Sequence, residues 1–180
     1  MSTVLSESVK RARFEQVMLP HLDSSFNLAR WLMRNDHDAE DAVQEAYLRA
    51  YRFFEGFQGG DGKAWLLAIV RNTCRTLLQK AGVKETMTEF DDSKHSAESE
   101  QKGPEDRLLR QAEVESVHAC IDKLPAEYRE VVVMRELEQL SYKEIATAVA
   151  VPIGTVMSRL ARARARLHDC LQVRFKGARA

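Results

Sequence analysis

The sequence predicts an all-α protein made of two small helical domains that a flexible acidic linker joins. Apolar residues recur at three- and four-residue spacing through most of the chain, and no alternating run of β-branched residues is long enough to indicate a sheet. Pro and Gly, which interrupt helices, are scarce at 4 and 8 among 180 residues. The helical periodicity is interrupted at one long polar stretch, and this stretch sets the expected domain boundaries.

The expected domains are residues 1–82 and residues 107–180, with residues 83–106 as the linker. The stretch Val83–Pro104 is rich in Glu, Asp, Ser and Lys and holds one aromatic residue. Such a composition buries too little apolar surface to offset the entropy lost on ordering. We therefore predict a flexible linker, and a solvated helix is the alternative.

The first block holds a strongly amphipathic helix that begins near Asp36. Its apolar stripe comprises Ala39, Ala42, Val43, Ala46, Tyr47, Ala50, Phe53 and Phe54. Acidic residues crowd its N-terminal end, where the helix dipole favours negative charge. The sequence GFQGGDGK, residues 56–63, ends this helix, and a further helix is predicted from Ala64 to Lys80.

The second block contains the components of a helix-turn-helix. Ser141 and Glu144 have the spacing of a capping box that begins a short helix. A brief connection follows, and Pro152 suits the first position of a second helix because its missing N–H would be unpaired there.

The second helix of this unit has two faces. The apolar face comprises Ile153, Val156, Leu160, Ala163, Leu167 and Leu171. The polar face comprises Thr155, Ser158, Arg159, Arg162 and Arg166. Short hydroxyl side chains followed by arginines suit a helix whose N-terminal end enters a DNA major groove. We expect these five residues to contact DNA; a helical hairpin with a solvated basic face is the alternative.

The charge distribution favours DNA binding. The chain has 27 basic and 27 acidic residues, so its formal net charge is zero. Residues 153–180 nevertheless hold seven Lys or Arg against the single acid Asp169. Such local basic patches produce non-specific, salt-dependent DNA affinity.

Other features predict a cytoplasmic protein without catalytic residues, metal ligands or cofactors. Cys74, Cys120 and Cys170 are far apart in sequence and form no CxxC pair, so we expect reduced thiols. No signal peptide or membrane-spanning segment is expected. The sequence Asp36–His37–Asp38 raises the alternative of a metal-dependent phosphohydrolase, but a metal site needs three or four converging ligands.

Several motifs resemble the extracytoplasmic-function (ECF) sigma factors of bacterial RNA polymerase, of the sigma-70 family, group 4. Ile121–Leu167 is similar to their region 4, with LPAEYRE, LSYKEIA and GTVMSRLARAR in order. Asp38–Tyr51 and Ala64–Cys74 resemble their region 2. The resemblance implies a region 2 domain and a region 4 helix-turn-helix domain, in a protein that directs core polymerase to promoters.

The resemblance also implies roles for individual residues. Asp41, Gln44 and Glu45 match the face that docks on the clamp helices of the largest polymerase subunit. Lys63, Arg71 and Asn72 match the part that opens the minus 10 element. Asn72 matches a position that contacts a flipped-out base, and we expect the two cations to hold the strand backbone. The helix after Pro152 is expected to read the minus 35 element, and its domain to touch the flap of the second-largest subunit.

Regulation by an anti-sigma factor, in a stress or envelope response, is a further implication of the resemblance. The linker is expected to thread toward the RNA exit path.

An ordinary helix-turn-helix regulator and an adaptor that mimics a sigma factor without binding DNA are the alternatives. Met157 stands where relatives often carry a basic residue, and the loop before Trp65 is shorter than in many of them.

Overall fold

Two groups of helices make up the computed structural model, which describes residues 2–82 and 104–177. The first group contains α1 (Ser2–Met18), α2 (Leu22–Met33), α3 (Asp36–Phe53) and α4 (Gly62–Lys80). The second contains α5 (Pro104–Asp122), α6 (Ala126–Val132), α7 (Tyr142–Val149) and α8 (Ile153–Gly177). Short 3-10 turns follow α1 and α3. The described residues contain no strand, and the predicted all-α architecture of two helical units is confirmed.

Local signals in the sequence explain where the helices of the first unit begin. The Asn35 side chain caps α3 by accepting a hydrogen bond of 3.0 Å from the backbone N–H of Asp38. Asp61 caps α4 in the same way. Between these helices, Gly59 and Gly60 adopt φ values of 90° and 94°, which only glycine tolerates readily.

A π-helical turn, Val133–Leu137, continues α6 and ends the helix. The backbone N–H of Glu138 donates to the carbonyl of Val133 over 3.0 Å, so five residues separate the donor from the acceptor. Such wide turns occur mostly as single turns within α-helices, and they are frequent at functional sites. The turn directs the Glu138 side chain into the interior, where it is buried.

The two units pack against each other. α4 contacts α7, and α2 contacts α6, so the buried apolar residues of both units form one continuous cluster. The linker predicted at residues 83–106 lies largely outside the described residues, and α5 begins at Pro104. Sequence analysis predicted the two units but gave no indication that they share a core.

No single helix within residues 2–82 and 104–177 is long and apolar enough to cross a membrane. α7 and α8 together meet the length and composition test as a pair bent by 102°. Several of their apolar side chains, among them Ile145, Val156 and Leu160, are buried in the protein core.

Candidate nucleic-acid interface

The helix-turn-helix forms as the sequence predicts. The Ser141 hydroxyl accepts from the backbone N–H of Glu144 at 3.2 Å, and the Glu144 carboxylate accepts from the backbone N–H of Ser141 at 2.7 Å. This capping box begins α7. α8 begins one residue later than expected, because Pro152 precedes the helix and its carbonyl accepts the first hydrogen bonds.

The N-terminal half of α8 buries one face and exposes the other. Val156, Leu160 and Ala163 are fully buried against the rest of the second unit. Ser158 and Arg162 are exposed on the opposite face, as predicted for residues that reach DNA. Met157 lies beside them with 51% of its surface exposed. This surface combines a hydroxyl, a guanidinium and an apolar side chain.

Two of the other three predicted DNA contacts on α8 turn toward α6. Arg159 pairs with Glu127 at 3.3 Å and with Glu130 at 3.6 Å. The Arg166 guanidinium lies 5.3 Å from the centre of the Tyr128 ring, at cation–π distance. Thr155 is half-buried. The outward face of α8 is therefore narrower than the sequence pattern indicated.

Arg164 lies outside the predicted DNA-contacting set and is held by the second unit itself. Two of its guanidinium nitrogens donate to Glu136 Oε1, at 3.1 and 2.6 Å. Hydrogen bonds to Glu136, and then to Tyr142, raise the pKa of Arg164 above its ordinary value. This pair fixes α8 to the π-helical turn.

In the first unit, the structure places the predicted minus 10 residues along the contact with the second unit. Arg71 is buried, and its guanidinium donates to both carboxylate oxygens of Glu130, at 2.8 and 3.0 Å. Asn72 is exposed, and its amide oxygen accepts from Arg71 Nη1 at 3.1 Å. Lys63 Nζ donates to the carbonyl of Glu138 at 2.8 Å and lies 3.0 Å from its carboxylate.

The predicted polymerase-binding residues occupy the solvent side of α3. Asp41 and Gln44 are exposed, and the apolar stripe of the helix is buried on the opposite side. Glu45 accepts from Arg49 at 2.7 Å, and this hydrogen bond lowers the pKa of the Glu45 carboxyl. The three side chains lie on one helix, within two turns of each other.

An apolar groove borders this face, and sequence analysis did not identify it. The groove is an open cavity of about 630 Å³ between α1 and α3. It is lined by Arg11, Phe14, Glu15, Leu19, Gln44, Tyr47, Leu48 and Tyr51. The sequence contained one sign of this groove: Leu48 is an apolar residue one turn after the predicted contact Gln44. In the structure 64% of its surface is exposed.

Trp65, the aromatic residue that begins the Ala64–Lys80 segment, packs within the first unit. Its ring is half-buried, with its centre 5.2 Å from that of Phe57 and 6.5 Å from that of Phe54. This packing is that of a core residue rather than of a platform on which bases stack.

The prediction of reduced cysteines is wrong for two of the three. Cys120 in α5 and Cys170 in α8 form a disulfide, with their Cα atoms 5.9 Å apart. A separation of 50 residues gives no spacing signal, and the packing of α5 on α8 brings the two side chains together. Cys74 is unpaired and buried, and burial raises the pKa of its thiol to about 12.

No group of three or more His, Cys, Asp or Glu side chains that could hold a metal ion occurs in the parts of the chain that the structure describes. Around Asp36–Asp38, the nearest such pair joins His37 and Asp41, whose side chains lie 3.9 Å apart. Two groups on an exposed helix turn lack the converging ligands that a catalytic metal needs.

Comparisons with known proteins agree with the arrangement of the two units. Residues 18–83 match the family model for Sigma-70 region 2, and residues 115–167 match that for Sigma-70, region 4. The ECF RNA polymerase sigma-E factor of Escherichia coli K12 is 34% identical over 142 residues, covering 75% of this chain and 74% of the relative. The chain belongs to the ECF sigma factors of RNA polymerase.

Two further relatives extend the match. The RNA polymerase sigma-H factor of Pseudomonas aeruginosa is 33% identical over 171 residues, with 91% of this chain and 88% of the relative covered. The ECF sigma factor SigE of Mycolicibacterium smegmatis is 32% identical over 158 residues, covering 88% of this chain. The chain spans 61% of the length of SigE.

Solved structures show the same fold. The sigma factor RpoE of Bartonella quintana, co-crystallised with the anti-sigma factor NepR, has a TM-score of 0.73 and 26% identity, covering 89% of this chain and 98% of RpoE. CnrH in complex with the cytosolic domain of CnrY has a TM-score of 0.62 and 23% identity, with 94% of both chains covered. As an ECF sigma factor, this chain is a transcription initiation factor that binds RNA polymerase and promoter DNA.

Proposed function

We propose that the two units of this sigma factor divide promoter recognition between them. The second unit, residues 107–180, places the N-terminal half of α8 in the major groove of the minus 35 element. The observation that carries this proposal is the outward face of α8, where Ser158 and Arg162 are exposed opposite the buried Val156, Leu160 and Ala163. Arginine recognises guanine through two hydrogen bonds, and a hydroxyl contacts either base edges or phosphates.

Arg159, Arg166 and Thr155 support the same contact from the edge of this face. The two arginines contact residues of α6 in the structure, so they reach DNA after a change of side-chain orientation. Arginine side chains are long enough to leave a partner such as the exposed Glu127, since a surface ion pair typically contributes less than about 1 kcal/mol. We assign them to phosphate contacts rather than base edges.

The first unit, residues 1–82, binds core polymerase and opens the minus 10 element. Asp41, Gln44 and Glu45 contact the clamp helices of the largest subunit, and the adjoining groove offers apolar surface to the same partner. Lys63 and Arg71 hold the backbone of the single strand, and Asn72 reads the flipped base. The second unit also contacts the flap of the second-largest subunit.

An anti-sigma factor is the proposed regulator. The similar sigma factor RpoE of Bartonella quintana was co-crystallised with the anti-sigma factor NepR. The proposal places the protein in the cytoplasm, in a stress or envelope response.

Run-off transcription with purified core polymerase on a promoter library tests the proposal. We expect specific transcripts that share an upstream and a downstream element. The triple variant Asp41→Ala, Gln44→Ala, Glu45→Ala should lose binding to core polymerase while keeping affinity for the upstream duplex. A sigma factor that starts no transcript from any promoter, or a triple variant that binds core normally, would contradict these assignments.

A further inference from the structure

A buried carboxylate joins the two units at the residues assigned to DNA. Glu130 in α6 accepts two hydrogen bonds from the Arg71 guanidinium, and the side chains are 5% and 6% exposed. Arg159 Nη1 lies 3.6 Å from the same carboxylate. One acidic side chain therefore pairs with a minus 10 residue of the first unit and a minus 35 residue of the second.

A second carboxylate forms a parallel link. Glu138 follows the π-helical turn, and its side chain is 5% exposed. Lys63 pairs with this carboxylate at 3.0 Å, and the Asn27 amide donates to it from α2. Both partners belong to the first unit, so Glu138 reaches across the contact as Glu130 does.

The chemistry of these links resembles that of phosphate binding. A guanidinium recognises a carboxylate or a phosphate with the same pair of parallel hydrogen bonds, and a lysine ammonium pairs with either anion. Arg71 uses its Nε and Nη2 for Glu130, which leaves this side of the guanidinium closed to a second anion. Lys63 likewise directs its ammonium at Glu138.

We propose that Asn27, Lys63 and Arg71 form one anion-binding surface with two alternative occupants. In the closed protein, Glu130 and Glu138 occupy it; in the open protein, phosphates of the single-stranded promoter DNA replace them. This inference rests on the assignment of Lys63 and Arg71 to the minus 10 strand. It makes the second unit a built-in competitor of the DNA that the first unit binds.

The energetics favour a switch between two states. Removing one partner of a buried ion pair leaves an uncompensated charge, which is strongly destabilising. Separating the units instead returns Arg71, Glu130, Lys63 and Glu138 to water together, so no buried charge is left alone. Opening also exposes the apolar surface of α7 that packs on α4, which favours the closed form until polymerase or DNA binds.

The decisive variant removes both carboxylate charges without changing side-chain size. Glu130→Gln with Glu138→Gln should raise the affinity for a fluorescein-labelled single-stranded oligonucleotide of random sequence, measured by anisotropy without core polymerase. If the open form is a minor population, the gain should be about tenfold. The same variant should increase the radius of gyration in small-angle X-ray scattering. The control is Glu113→Gln with Glu115→Gln, an equal charge change at exposed positions of α5.

If circular dichroism shows that the double variant is poorly folded, exchanging the charges of Lys63 and Glu138 provides a second test. Lys63→Glu should expand the protein, and Lys63→Glu with Glu138→Lys should restore compaction without restoring affinity for the oligonucleotide. Affinity or dimensions that match the control, or a charge exchange that fails to restore compaction, would overturn the proposal. In the variant Glu130→Gln with Glu138→Gln, expansion without a gain in DNA affinity would also overturn it, because the surface would then bind only the carboxylates. Run-off activity of the unaltered protein tests the proposed function separately.

Discussion

α4 and α8 each carry predicted DNA contacts, and the structure leaves the two helices in different states. On α4, Arg71 is 5% exposed and the other unit covers it, whereas on α8 Arg162 is exposed to solvent. α8 is also cross-linked to α5 through Cys170, while the cysteine of α4 is an unpaired buried thiol. The comparison shows that similar sequence signals can mark one surface that is exposed to solvent and another that the rest of the protein covers.

The cross-link of α8 should have the largest effect on stability. Because the disulfide closes a 50-residue loop, the chain-entropy estimate for its loss is about 4 kcal/mol. We expect Cys120→Ser with Cys170→Ser, or a reducing agent, to lower the melting temperature of the second unit in circular dichroism. Cys74→Ala serves as the control, because it leaves sensitivity to the reductant intact. Equal melting curves with and without the reductant would contradict a stabilising cross-link.

Arg162→Ala should weaken binding of the free protein to the upstream duplex by about 1–3 kcal/mol, as expected for a base-contacting arginine. Asn72→Ala on α4 should leave that affinity unchanged and reduce promoter opening only in the presence of core polymerase. Fluorescence anisotropy and permanganate reactivity of unpaired thymines measure the two effects. Arg174→Ala, at an exposed position near the end of α8, is the matched control. An Asn72 variant that weakens duplex binding as much as Arg162→Ala would remove the contrast between the helices.

Met157→Ala tests whether the exposed apolar side chain of α8 contacts a thymine methyl group. Losing such a contact costs about 0.8 kcal/mol per buried methylene, roughly a fourfold weaker affinity. The upstream duplex with deoxyuridine in place of thymidine should reproduce the loss in the unaltered protein and have no effect on the variant. Val173→Ala, at a position 73% exposed on the same helix, is the control. An equal response of both proteins to deoxyuridine would place the methyl contact elsewhere.

The smallest expected effect is on the pH dependence of stability, and it comes from His118, at the contact between the units. This side chain of α5 lies edge-on to Trp31 of α2, with ring centres 5.2 Å apart. Burial lowers the pKa of His118, and the charge of Arg30 adds to this, against the opposite effects of Asp122 and Glu115. The unfolded chain therefore binds the proton more readily than the folded one. Stability should be full above about pH 6.5 and should decline as the pH falls below that value.

Urea unfolding at several pH values measures this dependence, and His118→Gln should reduce it. If lowering the pH destabilises the variant as steeply as the unaltered protein, the pH dependence belongs to another group.

Features set by local sequence were predictable, and contacts between distant segments were not. The Ser141–Glu144 capping box and the apolar stripe of α3 depend on residues three or four positions apart, so both followed from spacing. The Arg71–Glu130 pair joins residues 59 positions apart across the linker, and nothing in its spacing indicates contact. The same holds for the disulfide of Cys120.

The candidate site was only partly predictable for a related reason. Periodicity placed Ser158 and Arg159 on one polar face of α8, since both are excluded from the apolar stripe. The structure separates them, because the acids of α6 attract Arg159 and leave Ser158 exposed. Helical spacing identifies the buried side of a helix, but the neighbouring elements decide which polar residues remain available.

The π-helical turn Val133–Leu137 changes the direction in which the side chains after it point. One extra residue in a helical turn rotates everything after it by about 100° relative to an uninterrupted α-helix. Deleting one of its uncharged residues, Val133, Met134 or Leu137, should restore ordinary helical spacing and turn Glu138 away from Lys63 without altering any charge. The contact between the two units thus depends partly on the number of residues in this one turn. Evolution can adjust that contact by inserting or deleting a residue here, as well as by substituting charged residues.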